Sequence, residues 1–444
     1  MARKVFISFL GTGNYKACHY ERGSYLSDSM RFIQVATLEY LEHTGEWDKT
    51  NANDRIIILT TKGADGSEIK NWLDDGQKDS KTQAVIKQPG LESELNSAGF
   101  KPQTSRIDVP DGSNDGDILK IFETVYSLLN EGDEVYFDST HAFRYLPMLM
   151  LVMFNYAKFL KGVTVRSITY GNWDGRNQET NVGKIVDLTQ YSTLQDWTSA
   201  AASFINSGNA DQLKSLTESS NVSENVKEVV STLNDIALDM QTCRGKNILS
   251  GENFKALESQ AEGLDVNLPQ LKEILNKVKE QFAEFEGRES AKNGFKAAKW
   301  CIDHNLFQQA VTILQEACVS FFQMKHSNSL PNLELEGQRK FVQDALIVVK
   351  RKWINEEEKW KVKDELRPLF KDFLPIIAAD NEKYIFINQY GGKKRISELY
   401  YSLSEIRNDF NHFGMRKRPN EAEDIKKNIA DKYHEIYAAL YGNV

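Results

Sequence analysis

Near the end of this chain an arginine, two asparagines and a histidine fall within six residues: Arg407-Asn408-Asp409-Phe410-Asn411-His412. In the surrounding stretch 395–414, Ile396, Leu399, Leu403, Ile406, Phe410 and Phe413 recur at steps of three and four, the spacing of one apolar helix face. At about 100° per residue, Ser404, Arg407, Asn408, Asn411 and His412 fall on the opposite side, within an arc of about 140°. Asn408 and His412 are one turn apart, as are Arg407 and Asn411. Gly414 predicts the helix stop, which places His412 in the last turn, where the helix dipole favours imidazolium. Such a face can bind a phosphate through arginine and exchange protons with it through histidine. An ordinary solvated face would be richer in Glu and Lys.

The same region is locally basic. Lys393, Lys394, Arg395, Arg407, Arg416, Lys417 and Arg418 stand against Glu398, Glu405 and Asp409. Such a patch can attract a polyanion, with Asn411, Arg416, Lys417 and Arg418 as the residues set to touch it.

Two further clusters lie far upstream. Asp138-Ser139-Thr140-His141-Ala142-Phe143-Arg144 follows an apolar run and precedes another. One of Asp138, Ser139 and Thr140 could simply cap the next helix. Capping does not explain His141 and Arg144, three apart and so on one helix face, which suit phosphates or purine edges. Gly11-Thr12-Gly13-Asn14-Tyr15 follows the first apolar run. Glycines there permit close backbone approach to a phosphate, although many strand-to-helix turns need glycine for geometry alone. The third glycine of a dinucleotide fingerprint is missing.

Other candidates reduce to ordinary structure. Asp111-Gly112-Ser113-Asn114-Asp115-Gly116 resembles the start of a calcium loop, but Phe122 stands where the bidentate Glu belongs, so it reads as a polar turn capping a helix. Cys301, His304, Cys318 and His326 lack the spacing of a zinc site and read as buried thiols and surface imidazoles. No metal and no resident cofactor is expected.

The elements that must position these clusters divide the chain in two. Lys4–Leu10, 55–60, 105–109, Glu134–Asp138 and 163–170 are apolar, β-branched or aromatic runs bounded by Gly, Asp, Pro or Asn, with 184–188 a sixth candidate. They alternate with helical patterns, which predicts an α/β domain over 1–191, Rossmann-like and mostly parallel, with helices on both faces. Ligands then sit beyond the carboxyl ends of the strands, where the first two clusters fall. From 192 to 444 the pattern is helical, apart from 384–387, a small strand or a loop, and predicts an all-α domain. Breaks fall near 206–209, 245–251 and 330–337.

Composition limits the classes. The 444 residues carry a net charge of −8, so the chain as a whole is no nucleic-acid coat and any such binding must be local. Four scattered cysteines fit a reducing cytoplasm better than a disulfide framework. The most apolar stretch, 145–160, is shorter than the roughly 20 residues of a membrane span and contains Pro147, Asn155 and Lys158. The N-terminus reads as a first strand and lacks a signal-peptide cleavage site.

With these residues in place, Arg407-Asn408 followed by His412 resembles the R-x4-6-H signature of HEPN ribonucleases. SFLGTGNY and DSTHAFRYLP resemble the CARF domain of CRISPR-associated nucleases, whose members usually carry Gly where this chain has Ala142. The resemblance spans the chain, although 192–290 enters only through its helical character. It implies an ancillary ribonuclease of type III CRISPR defence. A CARF dimer would sense cyclic oligoadenylate, the tetra-adenylate favoured, through Gly11, Thr12, Gly13, Asn14, Tyr15, Asp138, Ser139, Thr140, His141 and Arg144. A HEPN dimer would cleave single-stranded RNA without metal, Arg407 stabilising phosphoryl charge, His412 acting as acid or base and Asn408 orienting the pair. A homodimer or higher even oligomer is implied, with neither DNA nor membrane as partner. The alternatives are a non-catalytic sensor that signals to a partner, and an α/β domain that cleaves its own cyclic ligand.

Overall fold

The computed structural model describes residues 2–61, 71–78, 85–141, 145–219, 222–262, 269–412, 414–415 and 421–442. Two compact units emerge, Met1–Gln195 and Asp196–Val444.

The first unit holds β1 (Lys4–Leu10), β2 (His19–Arg22), β3 (Tyr25–Leu26), α1 (Ile33–His43), β4 (Arg55–Thr61), β5 (Asp75–Lys78), β6 (Val85–Gln88), α2 (Leu91–Ser97), β7 (Thr104–Val109), α3 (Asp115–Leu128), β8 (Glu134–Asp138), α4 (Leu146–Lys161), β9 (Thr164–Asn177) and β10 (Val182–Asp187). Eight strands form one sheet in the order β3-β2-β10-β9-β8-β1-β4-β7. The run β9-β8-β1-β4-β7 is parallel throughout, with Ser8 level with Asp138. β10 pairs antiparallel with β9, and β5 with β6 forms a separate ribbon.

The apolar strands are buried on both faces because alternate side chains enter two different cores. Phe6, Ile56, Ile58 and Tyr136 pack with Ile33, Leu38, Leu41, Leu91 and Leu95. Val5, Ile7, Phe9, Ile57, Leu59, Val135 and Phe137 pack with Ile121, Val125, Met150, Met153 and Phe154 on the other face. Consecutive strands leave β1 toward β4 on one side and return to β8 on the other. The carboxyl ends of β1 and β8 therefore flank the switch point of the sheet.

Several expectations need correction. The strand expected at 163–170 extends to Asn177, because it pairs along β10 beyond the end of β8. The short β2 and β3 carry too few apolar residues to read as strands. The helix after β8 begins at Leu146 with Tyr145 as N-cap, so none of Asp138, Ser139 or Thr140 caps it and His141 is not on a helix. α4 has two apolar faces: Met150, Met153, Phe154 and Ala157 face the core, while Met148, Val152 and Phe159 are exposed. Asn114 caps α3, its side chain accepting from the Asp117 N–H at 3.1 Å, the role expected of that polar turn.

The second unit contains α5 (Thr189–Ser207, which begins in the first), α6 (Asp211–Ser219), α7 (Glu224–Gln241), α8 (Gly245–Ser250), α9 (Glu252–Glu262), α10 (Pro269–Lys279), α11 (Ala291–Asp303), α12 (Phe307–Lys325), α13 (Leu335–Arg351), α14 (Arg367–Lys383), the hairpin β11 (Ile385–Ile387) and β12 (Lys393–Arg395), α15 (Ile396–Asn411) and α16 (Ala422–Tyr441). One apolar core runs through it, from Trp197 to Leu440. The break expected at 245–251 is itself helical over α8, and Gly251 ends that helix with φ +77°. Among the described residues, no helix is long and apolar enough to cross a membrane.

Candidate functional site

In the first unit a cleft of ≈ 190 Å³ opens beyond the carboxyl ends of β1, β8 and the middle of β9. Asn14, Tyr15, Arg31, Thr140, His141 and Trp173 are among the residues that line it. The two loops that the sequence singled out do converge here, but their residues divide between wall and scaffold.

Asp138 and Ser139 belong to the scaffold. Asp138 is fully buried and accepts from Ser8 Oγ at 2.7 Å and from the Thr140 N–H at 3.2 Å. Burial pushes its carboxyl pKa up, against the Thr140 and Ser8 hydrogen bonds. Ser139 donates through both N–H and Oγ to the Thr169 carbonyl, each at 2.9 Å. Thr140 stands at the rim, its Oγ1 accepting from the Gly171 N–H at 2.8 Å. These bonds fix the turn that presents His141.

Gly11 and Gly13 serve a side chain. The Tyr15 ring folds back over them, so that a Cβ on Gly11 would lie 2.4 Å from the Tyr15 hydroxyl and one on Gly13 3.0 Å from its Cε1. Gly11 and Gly13 are thus the floor under Tyr15, and only Asn14 and Tyr15 of the run 11–15 line the cleft. Burial pushes the Tyr15 phenol up to about 12, so it is a neutral donor at physiological pH.

The sequence reading missed Asn71 and Arg31. Asn71, 1% exposed and at φ +69°, donates from Nδ2 to the carbonyls of Gly11 and Gly13, both at 2.9 Å. Arg31 donates to Asn71 Oδ1 at 2.7 Å and to the Pro89 carbonyl at 3.1 Å. An isolated Arg after β3 and an Asn in a polar loop carry no motif, so only the fold brings them to the site. Two buried nitrogens of the lining, His141 Nε2 and Trp173 Nε1, have no hydrogen-bond partner among the described residues. Burial lowers the His141 pKa to about 4. Arg144 lies outside the described residues.

In the second unit, α15 buries Ile396, Leu399, Leu403 and Ile406 of the predicted stripe, while Phe410 is half-buried and Phe413 lies outside the described residues. Its polar side is not wholly solvated. Gln315 of α12 donates to Ser404 Oγ at 2.7 Å, and Arg407 Nη1 lies 3.9 Å from Glu316 Oε1. Glu316 is itself held by Arg339 of α13, Nη2 to Oε2 at 2.6 Å. Arg407 is 33% exposed, with its Nε buried and without a hydrogen-bond partner among the described residues. Asn408 is half-buried, and Asn411 and His412 are exposed.

His412 is the C-cap, one residue beyond the last turn in which it was expected, and its N–H donates to the Asn408 carbonyl at 3.0 Å. Gly414, at φ +67°, closes the end by donating to the Asp409 carbonyl at 3.0 Å. At the cap His412 still meets the negative end of the helix dipole.

The basic patch is less open than its composition suggests. Lys394 pairs with Glu435, and Arg395 with Glu382 at 2.7 Å, carboxylates remote in sequence. Lys393 stays exposed, and Arg416, Lys417 and Arg418 lie outside the described residues. The cysteines and histidines weighed as zinc ligands have separate tasks. Cys301 and Cys318 are buried thiols pushed up by desolvation. His304 Nδ1 meets the Trp300 carbonyl at 2.7 Å, and His326 Nε2 meets Asp380 at 2.6 Å. The second pair is a correction: His304 and His326 are largely buried, not surface imidazoles.

Residues 193–290, which carried no motif, match the family model described as CRISPR-associated protein MJ1674, second domain. Over 232 residues the chain is 27% identical to the CRISPR-associated protein MJ1674 of Methanocaldococcus jannaschii, an alignment that covers 50% of this chain and 34% of that protein. The chain therefore spans about a third of that relative's length, and its similarity is to a CRISPR-associated protein.

Proposed function

We propose that this protein is a cyclic-oligoadenylate-activated, metal-independent endoribonuclease of CRISPR defence that cleaves single-stranded RNA. The observation that carries this reading is the end of α15. An exposed His412 caps the helix that also carries the partly exposed guanidinium of Arg407. The chemistry such a pair performs is transfer within the RNA backbone. The 2′-oxygen attacks the adjacent phosphorus, the P–O5′ bond breaks, and a 2′,3′-cyclic phosphate and a 5′-hydroxyl result. His412 takes the 2′-OH proton or supplies one to the departing 5′-oxygen, and Arg407 stabilises charge on the phosphoryl oxygens. One Arg–His pair per chain cannot place acid and base on both sides of a phosphate, so two facing copies share the work.

The cleft of the first unit supports the sensing half. Two buried nitrogens of its lining, unpartnered among the described residues, suit a polar ligand, and the closely spaced, tilted rings of Tyr15 and His141 suit a purine. At ≈ 190 Å³ it is smaller than a pocket that encloses a drug-sized molecule, so one chain offers half a site to a macrocycle. A two-fold pair of clefts matches an even-numbered ring, tetra-adenylate foremost. The similarity to a CRISPR-associated protein agrees with this setting.

The test incubates the full chain with labelled single-stranded RNA, with and without cyclic tri-, tetra- and hexa-adenylate, in EDTA and in Mg²⁺. Cleavage stimulated by an even ring, indifferent to EDTA and lost in Arg407→Ala and His412→Ala, is the expected result. Ring binding without cleavage would make the protein a sensor, and shortening of the ring itself would make the cleft a nuclease.

A further inference from the structure

Between β11 and β12 the chain makes a short turn whose tip carries Tyr390, 88% exposed, beside Ile387, 58% exposed. The turn is built, not loose. Asn388 Oδ1 accepts from the Tyr390 N–H at 3.0 Å and the Gly392 N–H at 2.8 Å. The Asn388 N–H donates to the Gly392 carbonyl at 2.9 Å, and Gly391 takes φ +78° to close the loop. The base of the hairpin is anchored, with Ile385 paired to Arg395 and the Phe386 ring 6.2 Å from that of His434. A large aromatic side chain held in solvent on a fixed turn has no packing task in the unit.

The segment 385–395 contains three cations and no carboxylate. Lys394 and Arg395 are matched by Glu435 and Glu382, which leaves Lys393 as the exposed charge next to the tip. Charge complementarity thus favours a polyanion over an apolar protein surface. An exposed ring flanked by a cation is how sequence-tolerant single-strand binders hold a base: the ring stacks on it and the cation meets a phosphate. β12 runs directly into α15, and the twelve residues from Arg395 to Arg407 span about 18 Å of helix axis. A strand of a few nucleotides covers that span.

We propose that Tyr390, with Lys393, forms a base-stacking platform for single-stranded RNA, separate from the Arg407–His412 end of α15; this rests on the ribonuclease reading above. Its test reads binding apart from cleavage. A fluorescein-labelled, fully 2′-O-methylated oligonucleotide has no free 2′-OH to attack and reports affinity by anisotropy. Tyr390→Ala should weaken binding about tenfold, the loss of one stacked base. Tyr390→Trp should preserve it, and Lys393→Ala should lower the salt slope by about 0.7. With cleavable RNA, Tyr390→Ala should raise KM and leave kcat unchanged. Wild-type affinity in Tyr390→Ala, no binding of the probe by the wild type, or loss of self-association in Tyr390→Ala by light scattering would each overturn the platform. Cleavage that persists alongside a neutral Tyr390→Ala leaves the ribonuclease reading standing. A Tyr390-dependent affinity without any cleavage leaves the platform standing alone.

Discussion

The rings of Tyr15 and His141 lie 4.0 Å apart between centroids, tilted by 32°, although they follow different strands. β1 and β8 are neighbours, so the loops beyond them meet, and Gly11 fits where the rings leave no room. A Cβ there would lie 2.4 Å from the Tyr15 hydroxyl and 2.9 Å from the His141 carbonyl oxygen. Gly11→Ala should therefore displace Tyr15 and cost about 1–3 kcal/mol, as overpacking does. Thermal melting should show the loss, and activator affinity should fall with it. An unaltered melting temperature would mean that Tyr15 rotates away freely.

Asn71 joins three parts of the site through its side chain, with two donors to the Gly11–Gly13 loop and one acceptor for Arg31. Asn71→Asp retains the acceptor and removes both donors, while it tolerates the left-handed backbone that Ala would strain. The two carbonyls then face a carboxylate in a buried setting, at a cost of about 2 kcal/mol or more. Chemical denaturation should show that loss, and activator binding should weaken at least tenfold. A variant as stable as the wild type would show that the loop holds itself.

His141 should make stability and ligand binding depend on acid. Its pKa is lowered by burial from 6.5 to about 4. Between those values the unfolded chain binds a proton that the folded chain refuses, so stability is full above about pH 6.5 and falls as the pH drops toward 4. His141→Gln should flatten that slope. A ring of anionic phosphodiesters favours imidazolium, so binding should raise the His141 pKa and tighten as pH falls. Imidazole NMR titration with and without cyclic tetra-adenylate reads this directly. An ordinary pKa in the free protein would contradict it.

The sheet was legible because β1, β4 and β8 are near-continuous apolar runs, as strands buried on both faces require. β2, β3 and the far end of β9 were not, since they carry polar side chains and are defined by their partners. The glycines of the first loop were legible as a place of close approach, and the group that approaches them in the structure is Tyr15, a contact that no spacing rule encodes. Arg407 was legible by helix phase, but its neighbour Glu316 lies ninety-one positions earlier and reaches it only because α12 packs against α15. The basic patch was overcounted for the same reason, because Glu435 and Glu382 approach from elsewhere in the fold.

The outer face of α4 provides the last test. Met148, Val152 and Phe159 are 70%, 59% and 87% exposed, and steps of four and seven put them on one side of the helix. Leu119 of α3, 57% exposed, adds to the exposed apolar surface of this unit. Apolar residues gathered on one helix face suit an interaction surface, and the half-site proposed for the cleft calls for a second copy of the same unit. Phe159→Glu should thus convert a two-chain species to a single chain in light scattering. Because the side chain touches little within its own unit, thermal stability at low protein concentration should change by less than about 0.5 kcal/mol. Activator affinity should fall together with self-association, since each chain then offers only half of the ring's contacts. A variant that remains paired would place the two-fold contact on another surface, and one that separates yet binds the ring unchanged would show that a single cleft suffices.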